Sequence, residues 1–456
     1  MKRWMLVGGL VLSAALWWWL KWRGFSAEIC WTSAVTLLCG LWWMSEAIPI
    51  PATSLIPLAV LPFVGVLTPG QVAGAYGNQL ILLLLGGFML STALQRSGAH
   101  RRIALTMVRL FGGRSGRRLV FGFMTAAAGL SMWLSNAATV LMLVPIAMAV
   151  LDQTESRRLK VALLLGIAYA ASIGGIGTPI GTPPNLVFMQ VYSESTNMPP
   201  PTFLQWMMWA LPIVLIMLPI AGCWLTRGLP NDEHITVPDV GEWRAEEIRT
   251  LLVFGVTAVA WITRQQPYGG WSEALGLQTA NDASVALLSV IVMFLIPNGK
   301  GERLLDWQTA SGIEWGIFVL FAGGIAIARA FTESGLAATL GNSLSEIGSL
   351  PVVVMLAVIC LAVTFMTEVT SNTATTTLLM PILAAAALSA QLDPKLIMVP
   401  AAISASFAFM LPVATAPNAI VFSSNELTVK DMAREGFILN LLGVVVVAGV
   451  CLLRFG

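Results

Sequence analysis

Two short stretches hold most of the chemistry available to this chain of 456 residues: Ser135-Asn136-Ala137-Ala138-Thr139 and Ser371-Asn372-Thr373-Ala374-Thr375. The first interrupts the apolar run 119–151 and the second the run 351–390, and a hydroxyl stands four residues before each, at Ser131 and Thr367. Serine and asparagine are favoured immediately before a helix, so each cluster reads as a turn from which a new half-helix starts. Two further breaks, Gly181-Thr182-Pro183-Pro184-Asn185 and Ala414-Thr415-Ala416-Pro417-Asn418, carry proline where a first helical turn favours it. Four helix starts would direct unpaired N–H groups and partial positive charge at one region. Such a region binds carboxylate or sulfate without help from arginine, and these segments contain none. The expected ligand is an anion.

The same segments offer a cation site. Ser131, Ser135, Asn136 and Gly181 supply hydroxyls, an amide oxygen and unwound carbonyls, and Thr367, Ser371, Asn372 and Ala414 supply an equivalent set. Neutral hard oxygens suit an alkali ion and ligate zinc or copper poorly. Serine, threonine and asparagine also serve as plain contacts between membrane helices; two matched sets favour a site over packing. Glu368 stands beside the second cluster, where an ionisable group at membrane depth is a functional candidate or a brace for the turn. Glu46, in Ser45-Glu46-Ala47-Ile48-Pro49, reads as structural, and Asp282, Glu314 and Glu333 fall at or just beyond the ends of apolar runs.

Other chemistry is sparse. Cys30, Cys39, Cys223, Cys360 and Cys451 are scattered singly in apolar stretches and read as small hydrophobes rather than disulfide or metal partners. His100 and His234 lie apart in charged loops. A membrane-embedded protease or lipid transferase would need an acid pair, a Ser/His dyad or an aspartate-rich diphosphate motif, and none is present. Neither an enzyme nor an organic cofactor is expected. A net charge of +2 gives no argument for nucleic acid.

The elements that must position these residues are membrane spans. The chain is 57% hydrophobic and 11% charged, with mean hydropathy +0.81, where a soluble protein has roughly a quarter of its residues charged. Its partner is therefore the lipid bilayer. Apolar segments of spanning length predict helices at 4–20, 28–48, 52–67, 79–95, 160–175, 203–226, 249–264, 284–297, 314–331, 395–412 and 436–454. The expected fold is an all-α polytopic membrane protein with about 11 transmembrane helices and two re-entrant hairpins, 119–151 and 351–390. Non-helical backbone at that depth is tolerated only inside protein or around a cavity. Residues 1–20 resemble a signal peptide, but Trp17, Trp18 and Trp19 followed by Lys21 and Arg23 suit an uncleaved first span with an interfacial aromatic belt.

Charge sets the orientation. With the N-terminus inside, the inner loops collect Lys2, Arg3, seven arginines from Arg96 to Arg118, Arg157, Arg158, Lys160, Arg227, Arg244, Arg249, Lys300, Arg303, Lys430 and Arg434. The outer side keeps Lys21, Arg23, Arg264, Lys395 and Arg454, with Arg329 near a span end. This obeys the positive-inside rule and puts the N-terminus in the cytoplasm and the C-terminus outside. Segment 97–118 reads as an interfacial helix with its arginines on one face. No Asn-x-Ser/Thr glycosylation signal occurs, which leans towards a prokaryotic inner membrane.

An internal duplication organises the chain. Gly86-Gly87 and Ser97-Gly98 recur 237 residues on as Gly323-Gly324 and Ser334-Gly335, the Ser-Asn clusters are 236 apart, and the two proline-asparagine breaks 233. The implied domains are an N-terminal span, 1–27, and repeat 1, 28–226, comprising spans 28–95, the hairpin 119–151 and a broken helix 160–190. A cytoplasmic linker, 227–248, leads to repeat 2, 249–456, comprising spans 249–331, the hairpin 351–390 and a broken helix 395–422. Five spans and a hairpin per repeat invert the second relative to the first. Inverted repeats place substrate and ions between broken helices near the midplane, which suits alternating access better than a passive channel.

The stretches SEAIPIPATSLIPL, MWLSNAATVLMLVPI, ASIGGIGTPIGTPPN, TEVTSNTATTTLLMPI and ATAPN closely resemble the divalent anion–sodium symporter family, which includes sodium-coupled dicarboxylate and citrate transporters. The resemblance covers nearly the whole chain. It implies a homodimer in which a transport domain moves elevator-fashion against a scaffold, with Na+ as coupling ion. It also implies a substrate such as succinate, malate or fumarate, with citrate, sulfate or sodium-independent exchange as alternatives. By the same resemblance, one sodium site would comprise Ser131, Ser135, Asn136 and Gly181, and a second Thr367, Ser371, Asn372 and Ala414. The substrate would touch Asn136, Pro183, Asn372, Thr373 and Thr415. One position departs: Ala137 stands where the family has a threonine hydroxyl.

Overall fold

The computed structural model describes residues 2–111, 115–229, 240–266, 269–344 and 351–456. Arg114, His234 and residues 230–239 of the linker 227–248 lie outside them. Among the described residues the chain is helical, with no strand. The first half runs α1 (Lys2–Trp22), α2 (Ala27–Ser45), α3 (Ile50–Phe63), α4 (Pro69–Tyr76), α5 (Gln79–Ser97), α6 (Ala99–Phe111), α7 (Gly116–Ser131), α8 (Asn136–Leu151), α9 (Arg157–Gly175), α10 (Pro183–Thr196) and α11 (Phe203–Leu225). The second runs α12 (Ala245–Ile262), α13 (Gly270–Ala274), α14 (Asp282–Leu295), α15 (Trp307–Ala310), α16 (Trp315–Glu333), α17 (Leu336–Leu344), α18 (Val352–Thr367), α19 (Asn372–Ser389), α20 (Pro394–Ser404), α21 (Ala416–Phe422) and α22 (Val429–Phe455).

Among the described residues, eight segments are long and apolar enough to cross a bilayer: α1 from Trp4, α2, α4 with α5, α9, α11, α16, α19 and α22. The shorter apolar helices α3, α8, α14, α18 and α20 accompany them. The apolar run 395–412 is not one helix: α20 ends at Ser404 and the chain stays non-helical to Thr415. Large apolar side chains are exposed on α1, among them Trp4, Trp18 and Trp22.

The two halves are interlocked. Helix α3 packs on α16 and α5 on α14, one helix from each half. A glycine allows each crossing, since a Cβ on Gly86 would meet Ala286 at 2.5 Å and one on Gly323 would meet the Ser54 carbonyl at 2.5 Å. Small residues let membrane helices approach backbone to backbone. The exchange repeats at the polar clusters: α10 packs on α19, and α21 on α8. Each half thus lends the helix after its proline break to the hairpin of the other.

Ion pairs close the ends. Arg264 Nε donates to Asp282 Oδ1 at 2.6 Å, and Asp282 Oδ2 accepts the Phe203 N–H at 3.1 Å. Within 97–118, not every arginine is at the surface. Arg102 is buried, its Nε donating to Glu247 at 2.8 Å and its guanidinium to the carbonyls of Gly241 and Glu242, so it pins α6 to the start of α12.

Candidate functional site

Both Ser-Asn clusters fold as turns that launch a helix. Ser135 is the residue before α8, its hydroxyl accepting the Ala138 N–H at 3.2 Å. Ser371 stands likewise before α19 and accepts from Ala374 at 3.5 Å. The hydroxyl four residues upstream reaches the asparagine: Ser131 Oγ donates to Asn136 Oδ1 at 2.5 Å, and Thr367 Oγ1 to Asn372 Oδ1 at 2.6 Å. Ser131 and Thr367 are fully buried behind the asparagines, which accounts for their fixed spacing.

The proline-asparagine breaks are tied in the same way. Asn185 Nδ2 donates to the Gly175 and Thr178 carbonyls at 3.1 and 2.7 Å. Asn418 Nδ2 donates to those of Ala408 and Leu411, both at 3.0 Å. Each asparagine therefore holds the unwound stretch ahead of its helix as a fixed loop. Thr415 caps α21 by accepting the Asn418 N–H at 3.2 Å, whereas Thr182 makes no such bond to α10.

These pieces surround one cavity of about 670 Å³. Asn136, Ala137, Pro183, Asn372, Thr373 and Thr415 all line it, with Ser135, Gly181, Ser371 and Ala414 beside them. Ser131 and Thr367 do not; they form the layer behind. The opposite wall comes from the end of α2 and the starts of α3 and α16, including Met44, Ser45, Glu46, Ile50 and Ile317, with Phe88 of α5. Glu46, which reads as structural from sequence, and Glu314, at a span end, also face this space. Glu46 caps α2 in the left-handed conformation (φ 46°, ψ 41°), which turns the chain into the Pro49-Ile50-Pro51 step along the cavity. The acid among prolines in SEAIPIP was the available signal. No lysine or arginine lines the cavity among the described residues.

Oxygen atoms concentrate just behind the wall. Around Gly181 a Cβ would lie 2.9 Å from the Ser131 carbonyl and nearer still to that of Gly175, so two carbonyls converge on this Cα. Thr367 Oγ1 lies 2.6 Å from Asn372 Oδ1 and 2.9 Å from the Ala405 carbonyl. One hydroxyl hydrogen can serve only one of these two acceptors, leaving an oxygen free for a cation. The hydroxyls of Ser172, Ser404 and Ser406, and the Oδ1 atoms of Asn185 and Asn418, are buried without a hydrogen-bond partner. Buried oxygens of this kind ordinarily have a partner.

Different braces hold the two tips. Trp133, in the first turn, stacks against Phe203 and Trp261 with ring centroids 6.0 and 6.4 Å away, and Trp206 Nε1 holds the Ile176 carbonyl at 2.8 Å. In the second, Glu368 caps α18 and accepts from the Met410 and Leu411 N–H groups at 2.9 and 3.0 Å and from Asn440 Nδ2 at 2.6 Å. It ties the tip, the unwound loop 405–415 and α22 together. Its first-half counterpart, 236 residues earlier, is Met132, whose carbonyl instead accepts the Thr178 hydroxyl.

The citrate transporter (CitMHS) family profile matches residues 41–399. A protein of Staphylococcus saprophyticus named sodium-dependent dicarboxylate transporter SdcS is 38% identical over 91% of this chain and 84% of its own length. Its namesake in Staphylococcus aureus strain NCTC 8325 is 37% identical over 94% and 85%. Among solved structures, the Alcanivorax borkumensis YdaH transporter superposes with a TM-score of 0.62 at 13% identity, covering 91% of this chain and 97% of that one. Neisseria gonorrhoeae MtrF, described with a class of antimetabolite efflux pumps, gives 0.61 at 13% identity, covering 86% and 83%. At that identity the likeness concerns the fold.

Proposed function

Since the chain belongs to the citrate transporter family and is a multi-pass membrane transporter, we propose that it couples Na+ to the uptake of a C4-dicarboxylate such as succinate, malate or fumarate. One observation carries the reading: a cavity is bordered by both Ser-Asn tips and both proline breaks, yet, among the described residues, by no basic side chain, and two carboxylates, Glu46 and Glu314, line it. A dianion entering such a space needs positive charge from elsewhere. The starts of α8, α10 and α19 supply part of it as dipole ends, and the cation sets behind the asparagines supply the rest. The sodium dependence in the relatives' names supports the coupling ion, and the dicarboxylate in those names the substrate.

In this reading Asn136 and Asn372 each serve two ligands. Their amides meet the substrate on the cavity side, while their Oδ1 atoms join Ser131, Ser135 and Gly181, or Thr367, Ser371 and Ala414, around an ion. Thr373, Thr415 and Pro183 complete the anion's surroundings. Ala137 offers no hydroxyl where Thr373 has one, and a hydrogen bond to a charged ligand is worth about 1.5–3 kcal/mol. This makes the substrate grip one-sided.

The two halves, 28–226 and 249–456, act as inverted repeats whose hairpins enter from opposite faces, with the N-terminus cytoplasmic and the C-terminus outside. Hairpins and broken helices carry the ligands as one body against the remaining spans, elevator-fashion, in a homodimer. Each net charge moving down the potential releases about 2.3 kcal/mol per 100 mV, so cations in excess of substrate charge drive accumulation.

Radiolabelled succinate uptake into proteoliposomes under an inward Na+ gradient, compared with K+, tests the proposal. Sodium-dependent accumulation is expected. Uptake that ignores Na+ but requires internal dicarboxylate would replace symport by exchange, and absence of succinate flux would move the substrate to citrate or sulfate.

A further inference from the structure

A second cavity lies outside the polar site. It is an apolar groove of about 530 Å³ at the seam between the pair α1–α2 and the pair α17–α19. Trp19 and Leu20 of α1, Ile29 and Leu37 of α2, and Leu378 and Ile382 of α19 form its walls. Along α2 the lining extends from Ile29 to Met44 on one face, about 22 Å at 1.5 Å per residue. One leaflet of a bilayer's hydrocarbon core is about 15 Å deep, so the groove accepts an acyl chain lengthwise.

Its ends differ. Met44, at one end, also borders the polar cavity. Trp19, Leu20 and Phe25 mark the other, next to the exposed cations Lys21 and Arg23, and the Arg23 guanidinium sits 5.4 Å over the Trp19 ring. Glu28, in the first turn of α2, is the nearby acid. An apolar trench ending in an aromatic belt and two cations matches an acyl chain ending in a phosphate.

We infer that the groove between α1–α2 and α17–α19 binds one phospholipid, its chain along α2 and its phosphate on Lys21 and Arg23, with an anionic headgroup preferred. The chain then fills the seam beside α19, the helix that begins at Asn372.

The test uses the purified full chain in detergent, with phosphatidylglycerol as probe and phosphatidylcholine as comparison, and counts bound lipid by native mass spectrometry. Wild type should retain one phosphatidylglycerol in preference to phosphatidylcholine. Joint Lys21→Gln and Arg23→Gln substitution, on exposed side chains, should weaken retention about tenfold or more. Ser33→Trp, at a half-buried groove position, should abolish it while the melting temperature shows a folded protein. Failure of wild type to retain the lipid, or wild-type retention by either variant, would overturn the inference. The readout does not depend on which anion is carried, so it stands or falls apart from the transport reading.

Discussion

The related positions Gly181 and Ala414 differ by one methyl group, and the structure gives that difference a consequence. At Gly181 a Cβ would lie 2.9 Å from the Ser131 carbonyl and closer to that of Gly175. Both are backbone atoms and cannot rotate away, so Gly181→Ala must push apart the strands of chain that make the first oxygen set. Overpacking of this kind costs typically about 1–3 kcal/mol. If the strain is relieved by opening the oxygen set, sodium affinity falls between about fivefold and a hundredfold, at about 1.4 kcal/mol per tenfold. Ala414→Gly, the reciprocal change, removes a tolerated methyl group and should cost only about 0.5–1 kcal/mol of stability through added backbone freedom. The assay is the Na+ concentration for half-maximal succinate uptake in proteoliposomes, with melting temperature measured alongside. An unchanged sodium requirement in Gly181→Ala, with an unchanged melting temperature, would refute the reasoning.

Asn136→Ala and Asn372→Ala should each abolish uptake while the purified protein stays folded; near-normal uptake in both would remove these residues from the site. Ala137→Thr adds a hydroxyl to the cavity wall and should change the relative rates for succinate, malate and citrate by about tenfold, whereas an unchanged profile would place residue 137 away from substrate. Glu368→Ala leaves the Met410, Leu411 and Asn440 donors unpaired in a buried place, at about 1–3 kcal/mol each. Its melting temperature should drop by several degrees and its sodium requirement rise, and a fully stable variant would show that the brace is dispensable.

The parts of this site legible in the sequence are those with a local cause. A capping serine, a first-turn proline and an asparagine are read from spacing alone, and the places where α8, α10, α19 and α21 begin follow from them. Ser131 and Thr367 were visible for the same reason, since five residues across a tight turn bring each to its asparagine. The opposite wall was not legible. Glu46 and Glu314 reach the cavity because α3, which follows α2, crosses α16, a contact between residues far apart in the chain that leaves no local pattern. Trp133 could not be foreseen as a brace, because its stacking partners Phe203 and Trp261 come from two later helices. Arg102 read as one of a basic row, and only the fold brings Glu247 beneath it. Sequence alone allows Glu368 as a functional group or as a brace for the turn, and three donors on two distant segments favour the brace.

The central claim is that one cavity binds a dicarboxylate because sodium occupies the oxygen sets behind it. The most direct test is equilibrium binding of radiolabelled succinate to the purified protein in Na+ and in K+, with Asn372→Ala as control. Saturable binding is expected in Na+, with a loss of at least about tenfold in K+ and no binding by the variant in either salt. Equal affinity in the two salts, or binding that survives Asn372→Ala, would contradict it.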